Sequence, residues 1–120
     1  MTITSTEKSQ ANVIARLIMQ AMNYDCCQFF AGEDHTLDEF EQLMTRLVEA
    51  EESQYSYKNT LVALGPENVV MGICVSYDGA RLHELRKAFI RGAKEAFGKD
   101  FSGISDETGE GELYIDSLAV

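Results

Sequence analysis

Glu112-Leu113-Tyr114-Ile115-Asp116-Ser117-Leu118-Ala119-Val120 closes the sequence, and its reading decides the fold. Branched and aromatic residues follow the turn-rich Thr108-Gly109-Glu110-Gly111, which is the pattern of a β-strand. Alternation along a strand places Glu112, Tyr114, Asp116, Leu118 and Val120 on one face, and Leu113, Ile115, Ser117 and Ala119 on the other. Two carboxylates on a mostly apolar strand are costly to bury unpaired. They point to a cleft or to a partner cation. The strand runs to the final residue, and its edge of unpaired N–H and C=O groups is a template for another chain.

Immediately upstream, Lys99–Gly111 is rich in glycine and acid and reads as a loop. Before it, Leu82, Leu85, Phe89, Ala93 and Phe97 mark a helix that ends before Gly98. Arg81, Arg86, Lys87, Arg91 and Lys94 make that helix the basic element of an acidic protein, which a solvated face explains simply. Further back, Asn59–Leu64 and Val69–Tyr77 flank Gly65-Pro66-Glu67-Asn68, four turn formers, and the pair reads as a β-hairpin. The second of these strands is apolar on both faces, as in a central strand covered from both sides. Gly72 inside it signals a bulge or a close backbone approach. Cys74 reads as a small core residue.

The first half is helical. Residues 2–5 are β-branched in character and fit a short opening strand. Ser5 or Thr6 can then cap a helix that reaches about Asn23, with Val13, Ile14, Leu17, Ile18, Ala21 and Met22 recurring at helical spacing. Thr36-Leu37-Asp38-Glu39 is a capping box. It opens a second helix with Leu37, Phe40, Leu43, Met44, Leu47 and Val48 on one side. Between the two helices, Tyr24–His35 reads as a connection bearing Cys26, Cys27, Phe29 and Phe30, whose aromatics either plug the core or wall a pocket. Ser53–Lys58 is a polar, tyrosine-bearing loop. The resulting order is β–α–α–β–β–α–β, an α+β sandwich whose mixed, largely antiparallel sheet carries helices on both faces.

Composition narrows the function. The 120 residues carry a formal net charge of −10, which argues against a nucleic acid or an anionic membrane as partner. Such acidity either keeps a protein soluble or attracts a cationic ligand such as an amine. No apolar run approaches the ~20 residues of a membrane-spanning helix, and residues 1–10 lack the apolar core of a signal peptide. Three cysteines, two of them adjacent, do not make a disulfide framework, so a reducing compartment, the cytoplasm, is expected. There is no phosphate-cradling glycine run. The cysteines and histidines lack zinc spacing, and the acidic run Asp106–Glu112 misses the calcium-loop template, so no metal is expected.

The hairpin, the two preceding helices and the wording of Glu112–Val120 together resemble the N-terminal half of a GNAT-superfamily N-acetyltransferase. The resemblance implies that residues 1–120 are a single N-terminal part of such a domain, cut after the fourth strand and before the family's Arg/Gln-x-x-Gly-x-Gly pyrophosphate loop. It implies acetyl-CoA as co-substrate and a small-molecule or peptide amine as acceptor. By the same resemblance the backbone at Leu118, Ala119 and Val120 would meet the acetyl-pantetheine arm. Glu112 or Asp116, which share a face, would serve as general base, and the resemblance to the family's acidic residue on this strand favours Glu112; an ion pair with Arg81 or Arg86 is the alternative role for either. From their positions at loops, Phe29, Phe30, Tyr77 and Asp78 are expected to border the acceptor pocket. A second reading makes the chain a catalytically silent acetyltransferase-like module that forms a homodimer through its terminal strand.

Overall fold

Four strands pair in chain order in the computed structural model, which describes residues 2–120: β1 (Thr2–Ser5), β2 (Thr60–Leu64), β3 (Val70–Asp78) and β4 (Leu113–Ala119). Each neighbouring pair is antiparallel. The α+β class expected from the sequence is the one observed, with a sheet that is antiparallel throughout rather than mixed. Four helices accompany it: α1 (Ala11–Met22), α2 (Tyr24–Ala31), α3 (Leu37–Glu49) and α4 (Leu82–Phe97).

The first helix begins later than expected, behind a 3-10 turn at Lys8–Gln10 where Glu7 and Gln10 form the capping box. The expected connection at Tyr24–His35 is in fact mostly helix α2. Asn23, at φ 71°, turns the chain sharply and its side-chain oxygen accepts the Cys26 amide at 2.9 Å, so α2 starts one residue after α1 stops. For α3 the box is as expected: Thr36 Oγ1 accepts the Glu39 amide at 3.2 Å and Glu39 Oε1 accepts the Thr36 amide at 3.2 Å.

The core lies between the helices and one face of the sheet. Ile14 and Ile18 of α1, Phe40, Leu43, Met44 and Val48 of α3, and Phe89 and Ala93 of α4 are buried with Val62, Ile73, Val75 and Ala119 of the strands. On the opposite face Ile3, Leu61, Ile115, Leu118 and Val120 are exposed. The helices therefore gather on a single face, correcting the expectation of helices on both. The second face of β3 looks apolar in sequence because its paired neighbours on that side are apolar too. Cys74 sits there opposite Leu61 and Leu118, half-buried rather than in the core. No helix among the described residues is long and apolar enough to cross a membrane.

One irregularity sets the position of the site. In the β3–β4 ladder Val75 pairs with Ser117 and Ser76 with Ile115, so Asp116 is an extra residue, a β-bulge. Alternation fails across a bulge. Tyr114 lies on the covered side before it, and Ser117 and Ala119, both buried, lie on that same side after it. The expected grouping of Glu112, Tyr114, Asp116, Leu118 and Val120 on one face is thus overturned: Leu118 and Val120 face outward and Tyr114 inward.

Candidate functional site

Asp116, lifted out of the ladder, turns its carboxylate toward the helical side. Tyr77, opposite Tyr114 on β3, donates its hydroxyl to Asp116 Oδ2 at 3.0 Å, and Gln54 Nε2 donates to the Tyr77 hydroxyl at 3.2 Å. Ser117 Oγ donates to Asp116 Oδ1 at 3.3 Å. The rings of Tyr77 and Tyr114 meet edge to face at 5.6 Å, and the Tyr114 hydroxyl donates to Glu107 Oε2 at 2.7 Å. Tyr55, buried at 8% exposure, packs its ring against Phe89. Gln54, Tyr77, Asp116, Tyr114 and Glu107 thus form one cluster of hydrogen bonds and ring contact, with Asp116 half-buried and Glu107 exposed.

Gln54 and Tyr55 belong to the polar stretch after α3. Ser53, Gln54, Tyr55 and Ser56 are all buried, which such a stretch tolerates only if its polar groups are satisfied. They are: Ser53 Oγ donates to the Leu47 carbonyl at 2.8 Å, Ser53 Oγ accepts the Tyr55 amide at 3.0 Å, and Thr60 Oγ1 donates to the Ser56 carbonyl at 3.0 Å. The stretch is pinned in place and holds Gln54 on the Tyr77 hydroxyl and the Tyr55 ring on Phe89.

Glu107 is held differently. Buried Arg86 donates to the Ser105 carbonyl at 3.1 Å and to Asp106 Oδ1 at 2.7 Å, while His83 Nε2 lies 2.7 Å from Asp106 Oδ2. Hydrogen bonds from His83 and Arg86 hold the Asp106 carboxyl below its usual range. This clamp fixes Glu107, the next residue. Gly79 supports the other side of the loop: its amide donates to the Glu112 carbonyl at 2.7 Å, and a Cβ there would strike the Gly109 carbonyl and Thr108.

Electrostatics distinguish Asp116 from the other acids. Burial, and after it the negative charge of Glu107, pushes its carboxyl up to about 6. The Tyr77 hydroxyl is pushed above its ordinary range by burial and then by Asp116, so it stays protonated and donates. Burial likewise raises Tyr114, with Glu107 adding to it. A half-buried acid that ionises near neutrality is suited to accept a proton from a bound group.

The sequence-designated residues separate. Asp116 and Tyr77 come together. Glu112 does not join them; its Oε1 accepts the Thr108 hydroxyl at 2.8 Å and the Gly109 amide at 3.0 Å, closing the loop on itself. Asp78 is exposed and caps the turn after β3, accepting the Ala80 amide at 2.9 Å. Phe30 packs into the core against Phe89 and Phe101, at 5.3 and 5.1 Å. Phe29 lies on the surface under Lys99. Neither Glu112 nor Asp116 pairs with Arg81 or Arg86: Arg81 binds Glu52 and Glu84, and Arg86 binds Asp106. Leu118 and Val120 stand exposed beside buried Ala119, at the sheet's outer edge. Gln54, Tyr55, Tyr114 and Glu107 were not singled out from sequence. The tyrosine in an otherwise polar loop was the one available signal for Tyr55.

No protein-family model and no curated protein matches the chain. Two solved structures do. The whole chain superposes on 63% of a crystal structure of an acetyltransferase, with a TM-score of 0.76 and 21% identity. It superposes equally completely on 65% of an N-acetyltransferase from Staphylococcus aureus Mu50, with a TM-score of 0.77 and 20% identity. The chain thus spans a little under two thirds of the length of either. Over that span its fold is the acetyltransferase fold.

Proposed function

We propose that the chain carries the acceptor half of an acetyl-CoA-dependent N-acetyltransferase, with Asp116 as general base. The observation that carries this is a half-buried carboxylate, raised to about 6 and oriented by a Tyr77–Gln54 hydrogen-bond chain, on the bulge of β4. Acetyl-CoA, when bound, supplies the acyl thioester. The outer edge of β4 at Leu118, Ala119 and Val120, which pairs with no strand among the described residues, suits an extended arm bearing amides. No glycine-bearing loop at a helix N-terminus in this sequence suits its diphosphate, so that grip is assigned to residues other than these.

In the reaction the amine nitrogen attacks the thioester carbonyl; a C–N bond forms, the C–S bond breaks, and the sulfur leaves with its electron pair. The proton released by the nitrogen passes to Asp116, directly or through one water. Tyr77 keeps that carboxylate aimed and, being protonated, does not compete for the proton. The test is transfer of an acetyl group from acetyl-CoA to primary amines, together with calorimetric titration of coenzyme A. Transfer abolished by Asp116→Asn supports the reading; transfer unaffected by it removes Asp116 as base.

One observation favours the second reading, association through the terminal-strand region. Ile3, Leu61, Leu118 and Val120 line a continuous apolar groove of about 230 Å³ on the uncovered face, and contiguous exposed apolar surface of this kind marks interaction sites. A second copy apposed about a two-fold axis would cover it. Light scattering coupled to size exclusion decides: a dimer supports this reading, a monomer at micromolar concentration sinks it.

A further inference from the structure

A cleft of about 410 Å³ opens between α4 and residues 102–106, and no residue of the Asp116–Tyr77–Gln54 chain lines it. Its helical wall is His83, Arg86, Lys87 and Ile90, whose steps of three, one and three set them along one strip of α4. Ile104 and Asp106 line it from the loop.

Charge at this cleft runs against that of the molecule. Arg86 is buried at 5% exposure and anchored, donating to the Ser105 carbonyl at 3.1 Å and to Asp106 Oδ1 at 2.7 Å. A guanidinium has five N–H donors, so this anchoring fixes the group while leaving donors over. Asp106 is ionised, because His83 and Arg86 hold its carboxyl low, and its charge offsets that of Arg86. Lys87 is not offset. It is exposed and forms no ion pair among the described residues. The acids nearest in sequence are engaged elsewhere: Glu84 binds Arg81, and Glu107 accepts the Tyr114 hydroxyl. The cleft is thus net positive within a protein of net charge −10. The cleft beside Asp78, Glu110 and Glu112 is the opposite case, with carboxylates and no cation in its lining. Ile90 and Ile104, both half-buried, make the remaining wall apolar.

We propose that this cleft binds a small organic anion, with an oxyanion head on Lys87 and the remaining donors of Arg86 and a short apolar body on Ile90 and Ile104. The head is a carboxylate or a phosphate monoester. Charge-assisted hydrogen bonds hold it, and burial of the body adds to them. The site stands whether or not the chain transfers acetyl groups.

The test follows amide resonances of the full chain, without coenzyme, at pH 7 and low ionic strength. Butyl phosphate and pentanoate share one butyl chain and differ in the head; n-butanol lacks the anion, and inorganic phosphate lacks the body. Either butyl anion is expected to give saturable shifts confined to residues 83–90 and 102–106, and the tighter of the two identifies the head. Lys87→Glu, at an exposed position, is expected to weaken that binding by at least about fivefold. Lys94→Glu makes the same change of charge further along α4, outside the cleft, and is expected to alter binding by less than about twofold. Thermal melts confirm that both variants fold. The proposal is overturned by no saturation with either butyl anion at about 10 mM, by an equal response to n-butanol, by equal affinity for inorganic phosphate, or by equal losses in the two variants.

Discussion

Asp116 is placed where its ionisation has consequences for both stability and chemistry. In the folded chain its carboxyl is raised from the ordinary 3.8 to about 6, by burial first and Glu107 second. Between those values the unfolded chain has released a proton that the folded chain still holds. Stability contributed by this group is therefore full below about pH 3.8, falls as pH rises from there through 6, and stays lower above it. The penalty at pH 8 is at most about 3 kcal/mol. Asp116→Asn, which cannot ionise, is expected to raise stability to denaturant at pH 8 and to leave it nearly unchanged at about pH 3, below both values. The same variant is expected to lower kcat/KM for amine acetylation by about 10²–10⁴-fold, the usual contribution of a positioned base. For the unaltered chain the acid limb of the kcat/KM profile is expected near pH 6, and Glu107→Gln should move it lower by removing a like charge. A limb that does not respond to Glu107 would separate Asp116 from the rate.

At the scale of elements, the surroundings of Asp116 are assembled by parts that the sequence reveals unequally. The loop before β4 is seated on Gly79, where a methyl group has no room. Gly79→Ala is expected to unseat Thr108–Gly109 and with them Glu107, visible as faster amide exchange over 105–112, while exchange in α1 and α3 stays slow. The stripes of α1, α3 and α4, the capping box at Thr36, the hairpin and the closing strand were legible because each rests on periodicity or a local turn signal. Helix α2 was not. Tyr24–Ala31 is only eight residues long and opens with residues of modest helix propensity, and its start depends on the unusual backbone of Asn23. The bulge was equally hidden: neither glycine nor proline marks Asp116, and counting by twos is blind to an added residue. Tyr55 and Gln54 escaped because a polar loop is ordinarily solvated, whereas this one is buried by hydrogen bonds that only the tertiary fold supplies.

For the whole molecule, the covered and uncovered sheet faces differ sharply. One carries the core and the Asp116–Tyr77 pair; the other exposes Leu118 at 67% and Val120 at 90%. If two copies meet there, Leu118→Lys is expected to shift a light-scattering dimer to monomer without lowering the melting temperature of the monomeric unit, since the side chain packs against nothing in its own core. The net charge of −10 bears on encounter instead. A cationic acceptor should associate faster at low ionic strength, and the association rate should fall as salt screens the field.

The bulge also makes Asp116 supernumerary. Excising Tyr114 or Leu118 would turn part of β4 inside out, exchanging solvent for core. Excising Asp116 alone would leave Ile115 against Ser76 and Ser117 against Val75, as they already stand, in a now regular ladder. The scaffold can do without this residue, so a deletion scan along the strand should find one position where the protein survives and only its chemistry is gone.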